Sequence, residues 1–205
     1  MKARTLLFAL LLIAAIAAPV AAAPGQEKAK TPAMTQEQMM AQMMKYANPA
    51  KEHEYLKKYV GAWDVEVKAW SQPGTEPMIS KGTMKGELLF GGRYVRTEFE
   101  STMMNMPFQG MQILGYDLFQ KKYTAIWLDS MSTHFSPTTG ALDPAGKIFT
   151  ETGVWPDPMT GGTSKVKIVT TWLADGKYRW DMFMVGPDGK EIKSMEITYT
   201  KRGTM

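Results

Sequence analysis

The stretch Gly61-Ala62-Trp63-Asp64-Val65-Glu66-Val67-Lys68 decides how the rest of the chain is read. Val65 and Val67 alternate with Asp64, Glu66 and Lys68. Successive side chains on a strand point to opposite faces, so this is a half-buried strand with one oily side and one charged side. The same period of two returns in runs at Lys81–Phe90, Arg93–Met103, Phe108–Tyr116, Tyr123–Asp129 and Ser132–Pro137. It continues through Lys147–Trp155, Ser164–Leu173, Lys177–Val185 and Glu191–Lys201. Turn chemistry separates the runs: Gly91-Gly92, Asp143-Pro144-Ala145-Gly146, Asp175-Gly176 and Pro187-Asp188-Gly189.

Parallel pairing needs long crossovers, and none of these connections is long enough to supply one. The expected fold is therefore all-β: an antiparallel up-and-down β-barrel of about ten strands, closed so that no edge is left bare. Most runs carry one apolar face rich in methionine and aromatic side chains, such as Tyr178, Trp180, Met182 and Met184 opposite Lys177, Arg179 and Asp181. Such a face serves equally to fill a barrel and to line a cavity.

Upstream of the first strand the period changes. Thr35 and Gln38 have the spacing of a capping box, and a helix is expected to about Tyr46 with Met39, Met40, Met43 and Met44 on one face. Pro49 ends it, and a second helical turn at Ala50–Lys58 is expected to turn Leu56, Tyr59 and Val60 inward. Further upstream, Lys2 and Arg4 precede the uncharged run Leu6–Ala18, with Val20 and Ala22 placed where a signal peptidase reads. The run is short for a bilayer span, which takes roughly 20 apolar residues. The expected organisation is a signal peptide (1–22), a flexible leader (23–34), an N-terminal helical segment (35–58) and a barrel domain (59–203). A periplasmic or secreted location follows from it, with no membrane span after cleavage.

The chain has no cysteine, which excludes disulfides and a lipidated N-terminal cysteine. Its 24 Lys and Arg against 20 Asp and Glu give a net charge of +4, and two of the bases are Lys2 and Arg4. No run of four or more basic residues occurs, so nucleic acid is not an expected partner.

Two features resemble a lipocalin-type, or calycin, barrel: Gly61-Ala62-Trp63 at the mouth of the first strand and Arg202 after the last. The resemblance implies that Trp63 packs across a closed barrel end against a basic side chain, here Arg202, with Gly61 as the turn into the strand. A wider resemblance rests on His53-Glu54-Tyr55-Leu56, Gly91-Gly92-Arg93, Met106-Pro107-Phe108-Gln109-Gly110, Gly115-Tyr116-Asp117 and Trp127-Leu128-Asp129-Ser130-Met131-Ser132-Thr133. Asp157-Pro158-Met159-Thr160-Gly161, Gly186-Pro187-Asp188-Gly189 and Ile197-Thr198-Tyr199-Thr200 extend it. In order and spacing these segments are similar to the bacterial family of domain of unknown function 1579. That likeness implies an exported protein and supplies no catalytic residues.

Asp129, Ser130 and His134 invite a catalytic triad, but neighbours on one strand face alternate ways and do not converge. His53 and His134 are the only histidines, too few with no cysteine for an ordinary zinc site. Haem-binding barrels of the calycin type use a histidine near the last strands, and none follows residue 134. No catalytic residue and no cofactor is expected. The leading expectation is a non-catalytic binder of a small apolar or amphipathic ligand, lined by Trp127, Trp172, Tyr178, Trp180 and Met182, with Arg96 and Glu98 as orienting polar groups and the methionine-rich helix over the mouth. One alternative is a filled barrel acting through its surface, with Trp70 and Trp155 as a partner patch. Another follows from the 18 methionines: soft thioethers of Met39, Met40, Met43 and Met44 that handle Cu(I).

Overall fold

The computed structural model describes residues 34–203. The expected signal peptide, and the leader up to residue 33, lie outside the described residues.

Helix α1 (Gln36–Ala47) opens on the capping box read from the sequence. Thr35 accepts from the Gln38 amide at 3.2 Å, and the Gln38 side chain accepts from the Thr35 amide at 2.9 Å. A 3-10 helix (Lys51–Tyr59) follows, with His53, Tyr55, Leu56 and Tyr59 buried. His53 is held by an acceptor role, taking the Ala50 amide on Nδ1 at 3.0 Å.

Ten strands come next: β1 (Gly61–Ala69), β2 (Met78–Leu89), β3 (Tyr94–Met103), β4 (Met106–Asp117), β5 (Lys122–Asp129), β6 (Ser136–Leu142), β7 (Ile148–Asp157), β8 (Gly162–Ala174), β9 (Lys177–Val185) and β10 (Glu191–Lys201). Each pairs antiparallel with its sequence neighbours, and β1 pairs with β10 to close the ring. The up-and-down barrel is thus complete, and no strand edge is left for another chain.

One strand differs from the sequence expectation. The run at Ser132–Pro137 is a loop up to residue 135, and β6 begins at Ser136. Its inward positions are Ser136, Thr138 and Gly140, which carry no apolar signal for the alternation to display.

The core is packed at one end. The 3-10 helix seals that end with Tyr55 and Tyr59, whose hydroxyls share a hydrogen bond of 2.8 Å. Trp172 donates to the Tyr55 hydroxyl at 3.1 Å, Tyr123 donates to the Glu52 carbonyl at 2.8 Å, and Trp63 donates to the Tyr59 carbonyl at 3.0 Å. Their rings meet mostly edge to face, as with Trp63 and Tyr178 at 5.1 Å between centroids. Burial pushes the phenols of Tyr55, Tyr59, Tyr178 and Tyr199 upward, so all stay neutral through the ordinary pH range.

Trp63 crosses the sealed end, 1% exposed, but its basic neighbour is not Arg202. Lys201 is the cross-strand partner of Trp63 and sets its ammonium 5.5 Å from the indole centroid. Arg202, one residue on, faces the other way and grips Oδ1 of Asp64 at 2.7 and 2.8 Å. The period of two that defines the strand assigns the contact to the residue before. Gly61 enters β1 at φ +115°, where a side chain is strained and where a Cβ would meet Lys201.

Candidate functional site

Above the sealed floor the barrel is hollow. A cavity of about 690 Å³ opens at the opposite end, among the β1–β2, β3–β4 and β5–β6 connections. Barrel width grows with strand number, and ten strands enclose more than their inward side chains fill. The floor is Tyr59, Tyr178 and Tyr199; the walls include Met84, Phe99, Ile168 and Ile197; the mouth carries Met78, Ile79, Met103, Met104 and Met131.

Trp127 is one of three tryptophans, with Trp155 and Trp180, that line the cavity. It stacks on Phe108 with 6.4 Å between centroids and donates its indole N–H to Oδ2 of Asp129 at 3.0 Å. Gly110 makes this pose feasible, because a Cβ there would collide with the indole ring. Trp155 also turns into the cavity and donates to the Pro137 carbonyl at 3.0 Å. It is therefore a lumen residue rather than half of an exposed patch with Trp70.

A polar stripe runs across β6, β7 and β8 of this oily interior. Ser136, Thr138, Glu151 and Thr170 are buried there and line the cavity, and Thr97 lines it from β3 across the barrel. Glu151 is 2% exposed and accepts from the Thr138 hydroxyl on Oε1 at 2.7 Å. Its cross-strand partner on β6 is Gly140, where a Cβ would press on the Glu151 side chain at 2.8 Å. Burial raises the Glu151 carboxyl from 4.5 to about 7, against which the Thr138 hydrogen bond acts.

Of the residues expected to line a ligand site, the structure brings together Trp127, Tyr178, Trp180 and Met182 on the cavity wall. Trp172 belongs to the aromatic floor packing instead. Arg96 and Glu98 point outward: Arg96 pairs with Glu87 at 2.7 Å and Glu98 at 3.3 Å, because inward positions on β3 fall to Val95, Thr97 and Phe99. Helix α1 does not cover the mouth. Arg93, in the β2–β3 turn at the sealed end, donates to the Ala47 carbonyl at 2.7 Å, and Tyr46 meets Phe119. Met39, Met40, Met43 and Met44 are all exposed there, and no residue of α1 is buried.

Glu151 escaped the sequence reading. It had one signal: Phe149, Glu151, Gly153 and Trp155 share parity, so an inward Phe149 implies an inward Glu151. The Asp129, Ser130 and His134 trio shows no triad geometry. Asp129 is engaged by Trp127 and by the Met131 amide, while Ser130 Oγ accepts from the Gln109 amide.

The family model described as protein of unknown function (DUF1579) matches residues 48–201. The chain is a member of the DUF1579 family. The match takes in the 3-10 helix and all ten strands, so the DUF1579 unit comprises both the sealed floor and the lumen. No curated protein matches the sequence. Among solved structures, Rv2717c from M. tuberculosis is similar at a TM-score of 0.55 and 8% identity, covering 76% of this chain and 100% of that one. At that identity the likeness concerns the barrel fold alone. A redesigned β-barrel aligns at a TM-score of 0.39 and 12% identity, over 73% of this chain and 96% of that one.

Proposed function

We propose that this DUF1579 protein is a non-catalytic carrier or sensor that binds one small apolar or amphipathic molecule inside the barrel. The observation that carries the reading is the open lumen of about 690 Å³, walled by methionine and aromatic side chains with a few convergent polar groups. Ligand sites generally have that size and composition, roughly 300–1,000 Å³ and mostly apolar. Methionine walls suit ligands of variable shape, because the thioether chain adapts its conformation at little cost. The basic start at Lys2 and Arg4 and the run Leu6–Ala18 support action outside the cytoplasm, and the intact mass of the protein recovered from its host tests cleavage after Ala22.

Native mass spectrometry of protein from its own host is the primary test, with a removable small-molecule adduct expected. After organic extraction, the protein should take up the fluorophore 1-N-phenylnaphthylamine with a Kd of about 1–10 μM. The double variant Met182→Trp, Met195→Trp fills the lumen and should lose the uptake while keeping its β-sheet circular dichroism. Absence of both adduct and uptake would end the binding reading.

The copper alternative draws only on the exposure of Met39, Met40, Met43 and Met44 along one helix. The surface-acting alternative, framed with a filled barrel, makes no use of the open lumen.

A further inference from the structure

The charge of the lumen is one-sided. Two carboxylates line it, Glu151 near the floor and Asp129 at the mouth, and no Lys, Arg or His does so among the described residues. Asp129 is already committed, with Oδ2 taken by Trp127 and Oδ1 by the Met131 amide. Glu151 is not. Thr138 occupies Oε1, and no hydrogen bond or ion pair reaches Oε2 among the described residues. Oε2 keeps access to the lumen, and a carboxylate held there among apolar walls gains most from a ligand that supplies a charged partner. Trp127, Trp180, Phe99 and Phe108 add electron-rich faces that also favour a cation.

We infer that the ligand is an amphipathic amine, with its apolar body against the methionine and aromatic walls and its ammonium group on Oε2 of Glu151. This rests on the lumen-binding reading and narrows it to one chemical class. The groups around Glu151 that titrate are the phenols of Tyr55 and Tyr59 on the 3-10 helix, both held neutral by burial. The neighbouring strands present Thr138, Ile168 and Thr170, which do not titrate. The pH response of binding is therefore that of Glu151. In the empty protein near pH 6 it is largely protonated, so an arriving ammonium expels one proton to the solvent.

Decylamine, decanol and decanoate share a tail and differ in head group, and titrating each into extracted protein by calorimetry separates the possibilities. At about pH 8 decylamine should bind at least about tenfold tighter than decanol, with decanoate weakest. The preference should collapse in Glu151→Gln and near pH 5. In the unmodified protein near pH 6, heats measured in buffers of different ionisation enthalpy should show close to one proton released per decylamine bound, a readout that needs no variant. Equal affinity for decanol and decylamine would overturn the amine assignment while leaving lumen binding standing. A preference that survives Glu151→Gln, or amine binding without proton release, would overturn it as well. Failure of all three compounds to bind would remove the binding reading itself.

Discussion

Trp63 gives its indole N–H to the carbonyl of Tyr59, four residues earlier, and so ties the first strand to the 3-10 helix that seals the barrel. The bond satisfies a carbonyl at the helix end that would otherwise be buried without a partner. Trp63 is also among the largest fully buried side chains. Trp63→Phe keeps an aromatic ring and deletes the bond, and should cost about 1–3 kcal/mol of unfolding free energy. Trp63→Ala also opens a cavity in the floor and should cost about 3–5 kcal/mol. Urea unfolding followed by tyrosine and tryptophan fluorescence measures both, and a Trp63→Phe variant as stable as the parent would show that the hydrogen bond contributes nothing.

Glu151 makes stability depend on pH in a known direction. Its carboxyl titrates near 4.5 when unfolded and near 7 when folded. The folded state therefore binds the extra proton between those values, and stability falls as pH rises through that window. The span corresponds to a cost on the order of 3 kcal/mol above pH 7, fully absent below about pH 4. Glu151→Gln removes the charge and should be more stable than the parent by about 1–3 kcal/mol near pH 9, with little difference near pH 4. Denaturation of the two proteins side by side at both pH values checks this; a gap that does not change with pH would contradict the burial argument.

Gly110 and Trp127 are coupled by space. Adding a methyl at Gly110 forces the indole out of its stack with Phe108 and should cost about 1–3 kcal/mol as overpacking. Trp127→Leu gives the methyl room, so Gly110→Ala in that background should cost clearly less. A double-mutant cycle reads the coupling, about 1 kcal/mol or more if the contact is as described.

Helix α1 contributes little to the fold despite its good cap. None of its residues is buried. Replacing Met39, Met40, Met43 and Met44 together by Gln should shift the unfolding free energy by no more than about 0.5 kcal/mol and leave uptake of 1-N-phenylnaphthylamine unchanged. A large loss of either would place this helix against the barrel in solution.

Strand parity carried most of what was legible in advance. It put Val95, Thr97 and Phe99 inside and Arg96 and Glu98 outside, so the same rule that predicts the barrel argues against those two as ligand contacts. It failed at β6, whose inward Ser136, Thr138 and Gly140 leave no oily face to see. Those small residues leave the room into which Glu151 reaches, so the weakest strand signal and the missed site residue have one cause.

The amino-acid order alone determined that a series of segments, alternating everywhere but at β6 and joined by short turns, forms a closed antiparallel barrel, because period and connection length are local properties. Which end is sealed, and hence which end is open, depended on where the 3-10 helix folds back across Trp63, Trp172 and Tyr178. The interior volume and the lone uncompensated carboxyl inside it emerged only when strands far apart in the chain faced one another. Burial and partnership are sums over neighbours from the whole ring, and no single segment contains them.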